Sequence, residues 1–235
     1  MYDDYFDFSD NSFKRNGAIF ILEASGTVLV GVNDKNIIKS TIPNIVKYIG
    51  NYAFSGCTSL TSINLPDNVE CIGNYAFYGC TNLRYINIPE NVITIESCAF
   101  DSCESLTSID IPNSVTTIEN SAFYGCTNLK YINIPNSVTT IGENVFSGCD
   151  VLTSINIPNS VTSIGYSAFA GCKSLRSIHS AIEEIDNVEI EEDAFDGIDL
   201  DECTLFVPPG TRWAYRHHPV FGKFKNIEIE TKGKE

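Results

Sequence analysis

Residues 115–137 read VTTIENSAFYGCTNLKYINIPNS, and residues 138–160 repeat the pattern as VTTIGENVFSGCDVLTSINIPNS. The unit is 23 residues long, and each copy places a phenylalanine, a cysteine, a leucine and a proline at the same positions. Six near-intact units run from Val46 to about Ser180, and a seventh, degenerate unit carries Phe195 and ends at Pro208. A period of this length is typical of a solenoid in which each unit forms one turn.

The residue types within one unit predict its local structure. The segment L-x-x-I-x-I alternates apolar and polar residues and ends at a proline, which is typical of a short strand. V-x-x-I predicts a second extended segment, whereas A-F-x-G-C is too short for a stable α-helix and predicts a tight turn or 3₁₀ element. Because no unit can bury its apolar residues alone, stacked units must share one core, with parallel strands about 4.8 Å apart.

The two ends of the solenoid would expose apolar edges, so the sequence is expected to supply caps. At the front, Ala18–Leu22 and Val28–Val32 predict a β-hairpin around a turn at Ser25 and Gly26. The predicted organisation is therefore a flexible N-terminus over residues 1–16, an N-terminal cap over 17–45, a solenoid of about seven repeats over 46–210, and a C-terminal cap and tail over 211–235.

At the back, the sequence predicts a short helical cap. Thr211 is a suitable N-cap for a helix from Arg212 to His218. Four aromatic residues are expected to cover the last repeat, and two isoleucines to add a final strand: Trp213, Tyr215, Phe221 and Phe224, then Ile227 and Ile229.

The A-F-x-G-C-x-x-L-x-x-I-x-I-P unit resembles the BspA-like leucine-rich-repeat family, which occurs in bacterial surface antigens and in some parasitic protists. The resemblance covers roughly Val46 to Pro208, and the stretch that starts at Cys203 resembles the closing cap of members from gut Bacteroidetes. It implies a mainly β leucine-rich-repeat solenoid with a parallel strand stack, a role in adhesion or protein–protein contacts, and no common catalytic site. It also implies a location at the cell surface or outside the cell.

Composition narrows the classes of partner. Fifteen Lys and Arg stand against thirty Asp and Glu, which gives a net charge of −15. Such a surface repels phosphate backbones and anionic lipids, so neither nucleic acid nor a membrane surface is an expected partner. No apolar run approaches the roughly 20 residues of a membrane helix. The N-terminal residues lack the pattern of a secretory signal, so localisation stays open.

The nine cysteines are interpreted mainly as structural. Six recur every 23 residues and are expected to be free, buried thiols: Cys57, Cys80, Cys103, Cys126, Cys149 and Cys172. We call these the ladder cysteines. Pairing of Cys71, Cys98 or Cys203 is left open, and no C-x-x-C pair indicates a metal site. There is also no glycine-rich phosphate loop, so no cofactor is expected.

The sequence shows no catalytic constellation. It has three histidines, and no recognised signature joins one of them to a nucleophile. The stretch Glu183 to Glu202 holds eleven acidic residues in a spacing that matches no calcium loop. A solvated acidic face is the simplest interpretation, with a weak cation site or a contact with a basic partner as alternatives.

The candidate binding site lies on the outward positions of the L-x-x-I-x-I strands, which are expected to line the concave side of the solenoid. Tyr85 and Tyr131 recur two repeats apart beside basic residues, a composition enriched in interfaces. Duplication of repeat pairs also explains this alternation, and the column of asparagines could instead form a structural side-chain ladder. The candidate residues are Tyr85, Tyr131, Arg84, Lys130, Asn87, Asp110, Asn133 and His179.

Two functions therefore compete. The first is a protein-binding or adhesion module that uses the concave strand face. The second is a carbohydrate- or cell-wall-binding module in which tyrosine rings stack on sugars and asparagines bond their hydroxyls. An enzyme is a distant third because the constellations that catalysis requires are missing.

Overall fold

The computed structural model describes residues 5–7, 12–15, 18–22 and 27–231. Within these residues the helical elements are the α-helix α1 (Arg212–His217) and two 3₁₀ turns, Ile185–Asn187 and Phe221–Lys223. The described strands are, in chain order, β1 (Tyr5–Asp7), β2 (Ser12–Arg15), β3 (Ala18–Leu22), β4 (Val28–Val32), β5 (Lys39–Thr41), β6 (Tyr48–Ile49), β7 (Ser62–Asn64), β8 (Cys71–Ile72), β9 (Tyr85–Ile86), β10 (Thr94–Ile95), β11 (Ser108–Asp110), β12 (Thr117–Ile118), β13 (Tyr131–Asn133), β14 (Thr140–Ile141), β15 (Ser154–Ile157), β16 (Ser163–Ile164), β17 (Ser177–Ser180), β18 (Glu189–Ile190), β19 (Thr204–Val207) and β20 (Asn226–Ile229).

The V-x-x-I segments form one continuous sheet, which we call the short column. Strands β4, β6, β8, β10, β12, β14, β16 and β18 pair in parallel, and the register joins equivalent residues, as in Ile95 with Ile118. The antiparallel pair β3–β4 extends this sheet and confirms the predicted N-terminal hairpin. The expected turn at Ser25 and Gly26 lies outside the described residues.

The L-x-x-I-x-I segments form the long column, which holds nine described strands: β5, β7, β9, β11, β13, β15, β17, β19 and β20. The seven repeats supply β7 to β19. A strand on either side of them, β5 and β20, adds one turn at each end, so the solenoid has about nine turns. Unlike the short column, the long column is divided into three sheets, with breaks between β9 and β11 and between β13 and β15.

The core between the two columns is built from equivalent residues of successive turns. Phenylalanines stack from Phe54 to Phe195, with ring centroids between 5.1 and 5.7 Å apart. The ladder cysteines are fully buried beside them. The thiol of Cys80 donates to the carbonyl oxygen of Phe54 at 3.2 Å, and four later ladder thiols make the same bond at 3.2 to 3.4 Å. This hydrogen bond accounts for a small sulfhydryl at that position in these five repeats.

The A-F-x-G-C segment folds as a tight turn that is hydrogen-bonded to the next repeat, as in the 2.7 Å bond from Phe54 N to Ala76 O. The residue two positions before its phenylalanine has a positive φ in six successive turns, although none of the six is glycine: Tyr52, Tyr75, Cys98, Ser121, Asn144 and Ser167. This conformation costs a free residue about 1–2 kcal/mol. The inter-repeat bonds on either side hold it in place.

The C-terminal cap confirms the predicted helix and final strand and corrects one of its covering residues. Tyr215, Phe221 and Phe224 are buried, and β20 pairs in parallel with β19. Trp213, however, is 72% exposed and stacks on His217, so the expectation that it covers the last repeat is wrong. A helix of six residues turns only one side to the solenoid, and Tyr215 occupies that side.

Both ends of the chain differ from the sequence predictions at one point. Thr211 occupies the N-cap position, but its hydroxyl donates to the carbonyl oxygen of Pro208 at 2.9 Å instead of capping the helix. At the front, β1 and β2 lie within residues 1–16, for which the sequence predicts a flexible segment. Among the described residues, no helix is long and apolar enough to cross a membrane.

Candidate functional site

The strand face consists of the outward side chains of the long column. Within β11, for example, Ile109 is buried while Ser108 and Asp110 on either side of it are exposed. The same alternation along the column gives the strand face from β7 to β17: Ser62, Asn64, Tyr85, Asn87, Ser108, Asp110, Tyr131, Asn133, Ser154, Asn156, Ser177 and His179.

Two tyrosines are the most prominent side chains of the strand face. Tyr85 is 57% exposed and Tyr131 is 60% exposed, so neither contributes substantially to the core. They lie in β9 and β13, on either side of β11. These strands belong to two adjoining sheets of the long column and not to a single sheet, because the column is interrupted between β9 and β11.

Basic residues accompany both tyrosines, as the sequence indicates. The ammonium group of Lys130 lies 5.1 Å from the centre of the Tyr131 ring, within the range of a cation–π interaction. Arg84 is exposed next to Tyr85. A flat ring with an adjacent cation can accept both apolar and hydrogen-bonding contacts from a partner.

The asparagine column is not uniform. The amide oxygen of Asn87 accepts a bond from Leu65 N at 2.8 Å, and its NH₂ group donates to Leu65 O at 3.0 Å. The Asn87 side chain thus takes the place of backbone pairing with the preceding repeat, as the structural alternative expects. Asn133 is exposed at the equivalent position two repeats later.

A shallow groove of about 250 Å³ lies over the break between β13 and β15, and we call it the central groove. It brings together three of the predicted residues, Asp110, Tyr131 and Asn133. Ser108, Ser154 and Asn156 complete its polar lining. The combination of one ring, one carboxylate, amides and hydroxyls suits recognition of a polar surface.

A larger groove of about 620 Å³ lies at the cap end of the strand face, and we call it the cap groove. Asn133 and His179 are the predicted residues that line it. His179 Nδ1 lies 2.8 Å from a carboxylate oxygen of Glu230, and the imidazole stacks on Phe206 with ring centres 4.6 Å apart. Glu230 in its lining was not predicted as a site residue, because only the return of the chain through β20 brings it to this face. Glu183, also in the lining, belongs to the acidic stretch for which contact with a basic partner is one alternative.

The ladder thiols and Cys203 lie in the interior, and His217 and His218 belong to the cap. Burial raises the pKa of Cys80 to about 12, and that of Cys203 to about 11. Such thiols stay protonated at neutral pH and are poor nucleophiles and metal ligands. His217 Nδ1 lies 2.8 Å from Trp213 O, and His218 Nδ1 accepts from Val220 N at 3.3 Å. In the described part of the chain, no group of three or more His, Cys, Asp or Glu side chains could hold a metal ion.

The acidic stretch from Glu183 to Glu202 is partly engaged within the protein. The carboxylate of Asp193 accepts from the hydroxyl of Ser167 at 2.7 Å. Asp201 forms an ion pair with Lys225. Glu183 instead lines the cap groove, so the stretch contributes to the strand face at one point.

Comparisons with known proteins agree with this architecture. A BspA type leucine rich repeat model matches in six copies, over residues 32–153 and 140–212. A leucine-rich repeat protein of T. pallidum is 32% identical with a TM-score of 0.64, and the match covers 68% of this chain and 77% of that chain. A leucine-rich repeat protein from Eubacterium ventriosum is 26% identical with a TM-score of 0.61, covering 80% of this chain and 50% of the other.

The pneumococcal vaccine antigen PcpA shares the fold at 20% identity, with a TM-score of 0.58 over 95% of this chain and 48% of that one. The match thus extends over about half the length of this antigen and of the Eubacterium protein. No match is found among curated proteins.

Proposed function

Because the chain belongs to the BspA-type leucine-rich repeat family, we propose that it is a non-enzymatic protein-interaction or adhesion module that binds a partner protein through its concave strand face. Bacterial leucine-rich repeat proteins of this surface type are generally interaction or adhesion modules. Function is carried by the surface and not by the fold, so the proposal depends on the strand face.

The observation that carries the proposal is the exposure of Tyr85 and Tyr131, at 57% and 60%, on a face whose other members are small or polar. Tyrosine supplies a large contact area for the loss of few rotatable bonds, which is why it is enriched where proteins bind. A large exposed ring adds little to folding stability. Its presence at the same position of two repeats therefore supports a role in binding.

A glycan is the competing ligand for the same face. Tyrosine rings can stack on sugars, and the amides of Asn133 and Asn156 can bond hydroxyl groups. The cation beside each tyrosine favours a protein as ligand, because Lys130 and Arg84 can pair with carboxylates, which neutral glycans lack. The test must therefore present both classes of ligand.

The test is affinity capture with the immobilised protein from host and bacterial extracts, alongside a glycan array. The variant Tyr85→Ala/Tyr131→Ala should lose the captured protein. The control Tyr78→Ala/Tyr124→Ala should retain it, because these two tyrosines are also exposed, at 42% and 44%, but lie in the turns. If the Tyr85→Ala/Tyr131→Ala variant still captures the protein and the Tyr78→Ala/Tyr124→Ala variant does not, the site lies on the turn side. Selective binding to the array would favour the glycan.

A further inference from the structure

The cap groove is assembled from five neighbouring turns of the long column. Asn133 comes from β13, Asn156 from β15 and His179 from β17, while Pro208 follows β19 and Glu230 follows β20. Adjacent strands are about 4.8 Å apart, so the groove crosses about 19 Å, the length of about six residues of extended chain. A segment of that length from another protein could lie across the strands.

The side chains of the cap groove are held in position before any ligand arrives. Glu230 and Phe206 fix the ring of His179 from two sides. Beneath the groove, the buried hydroxyl of Ser180 lies 2.6 Å from the hydroxyl of Tyr215, which donates to the carbonyl oxygen of Ile182 at 2.9 Å. This network ties the floor to the cap helix α1. A preformed groove loses little conformational entropy when it binds a ligand.

Apart from His179, whose ring nitrogen lies 2.8 Å from Glu230, the ionisable side chains of the cap groove are carboxylates. Its lining carries the carboxylates of Glu183 and Glu230, and none of its described lining residues is lysine or arginine. The protein as a whole has a net charge of −15, which adds to the attraction of cations toward this region. The asparagine amides can donate hydrogen bonds to a peptide backbone and accept them from it. Pro208 and Pro209 supply apolar surface.

We propose that the cap groove binds an extended segment of a partner protein that carries lysine or arginine side chains. The inference rests on the proposed function and identifies the chemistry of the partner at this end of the strand face. A saccharide fits the groove less well, because its lining holds no tyrosine, tryptophan or phenylalanine on which a sugar ring could stack. The basic side chains would pair with Glu183 and Glu230, while the amides bond the backbone between them.

The experiment measures fluorescence anisotropy at low ionic strength with a labelled hexapeptide of sequence Lys-Thr-Lys-Thr-Lys-Thr. The same peptide with glutamate in place of lysine is the ligand control. Glu183→Gln/Glu230→Gln should weaken binding at least about tenfold. The control Glu104→Gln/Glu143→Gln makes the same change in net charge at exposed positions outside the groove and should stay within about twofold. Glutamine at position 230 can still hydrogen-bond to His179. The single change Glu183→Gln leaves the contact between His179 and Glu230 in place and should cause a clear part of the loss of peptide affinity.

Three results would overturn the inference: no binding of the lysine peptide, equal weakening by the two glutamate pairs, or equal binding of the glutamate peptide. Tyr85→Ala/Tyr131→Ala should bind the lysine peptide normally, because neither tyrosine lines the cap groove. If the Tyr85→Ala/Tyr131→Ala variant loses the captured partner and the parent protein does not bind the peptide, this inference is refuted and the proposed function stands. If that variant keeps the captured partner and the peptide binds through Glu183 and Glu230, the tyrosine site is refuted and this inference stands.

Discussion

At the scale of single residues, the phenylalanine stack supplies the largest fully buried side chains of the repeats. Phe123 is fully buried between Phe100 and Phe146, with ring centres 5.4 and 5.7 Å away. Replacing it with alanine removes both contacts and leaves a cavity in a core that cannot close around it. Phe123→Ala should therefore lower the free energy of unfolding by about 3–5 kcal/mol, measured by urea denaturation.

The matched control is Tyr124→Ala at the next residue, which is 44% exposed and should change stability by less than about 0.5 kcal/mol. Equal denaturation midpoints for the parent and Phe123→Ala would show that the stack is not the core.

The ladder cysteines allow a second prediction at this scale. Burial raises the pKa of Cys80 and Cys172 to about 12 each, so at pH 8 the ladder thiols of the folded protein should react slowly with a thiol reagent. After denaturation without a reductant, most of the nine cysteines should react. Three or fewer reactive thiols would mean that the cysteines are paired, and the structural role of the Cys–Phe hydrogen bonds would have to be abandoned.

At the scale of elements, the cap is closed by one side of a short helix and the turn that follows it. Phe221 is fully buried and packs against Phe195 of the last repeat, with ring centres 5.5 Å apart, whereas Trp213 is 72% exposed. Phe221→Ala should therefore destabilise the protein by about 3–5 kcal/mol and promote association through the uncovered end. Thermal unfolding and light scattering measure the two effects.

Trp213→Ala is the matched control and should change stability by less than about 0.5 kcal/mol, despite the greater size of the side chain. A large loss of stability with Trp213→Ala would restore the covering role that the sequence predicts for this residue. No loss with Phe221→Ala would contradict the structure.

In the C-terminal cap, the sequence predicts which elements form better than it predicts which side chains they bury. The helix and β20 follow from local signals, such as threonine before the helix and alternating isoleucines. Which aromatic side chain faces the repeats depends on the angle at which a six-residue helix docks. That angle is set by the packing of Tyr215 against Ser180 and Ile182, more than 30 residues earlier in the chain. Composition alone does not contain this information.

At the scale of the whole molecule, a 23-residue period determines most of the architecture. Because every turn repeats the same buried positions, the sequence alone predicts the parallel columns, the phenylalanine stack and the family. It does not predict the division of the long column into three sheets. Nor does it distinguish Asn87, whose amide pairs with the backbone of the preceding repeat, from Asn133, which is exposed. Equivalent positions in a repeat need not have equivalent roles.

The candidate site is less predictable than the fold for the same reason. Tyr85 and Tyr131 are identified by their position in the alternating pattern, which requires only that the repeats stack. The contact of His179 with Glu230 joins residues 51 positions apart and depends on the irregular last repeat and on the return of β20. The cap groove arises where the repeat pattern ends, so periodicity gives no indication of it.

We propose that the strand face binds a partner protein, and calorimetry with the captured partner measures this binding. Tyr85→Ala/Tyr131→Ala should weaken binding by at least about 2 kcal/mol, while thermal stability stays near that of the parent. Tyr78→Ala/Tyr124→Ala should bind with the affinity of the parent. Unchanged affinity of the Tyr85→Ala/Tyr131→Ala variant, with weaker binding by the Tyr78→Ala/Tyr124→Ala variant, would contradict this proposal.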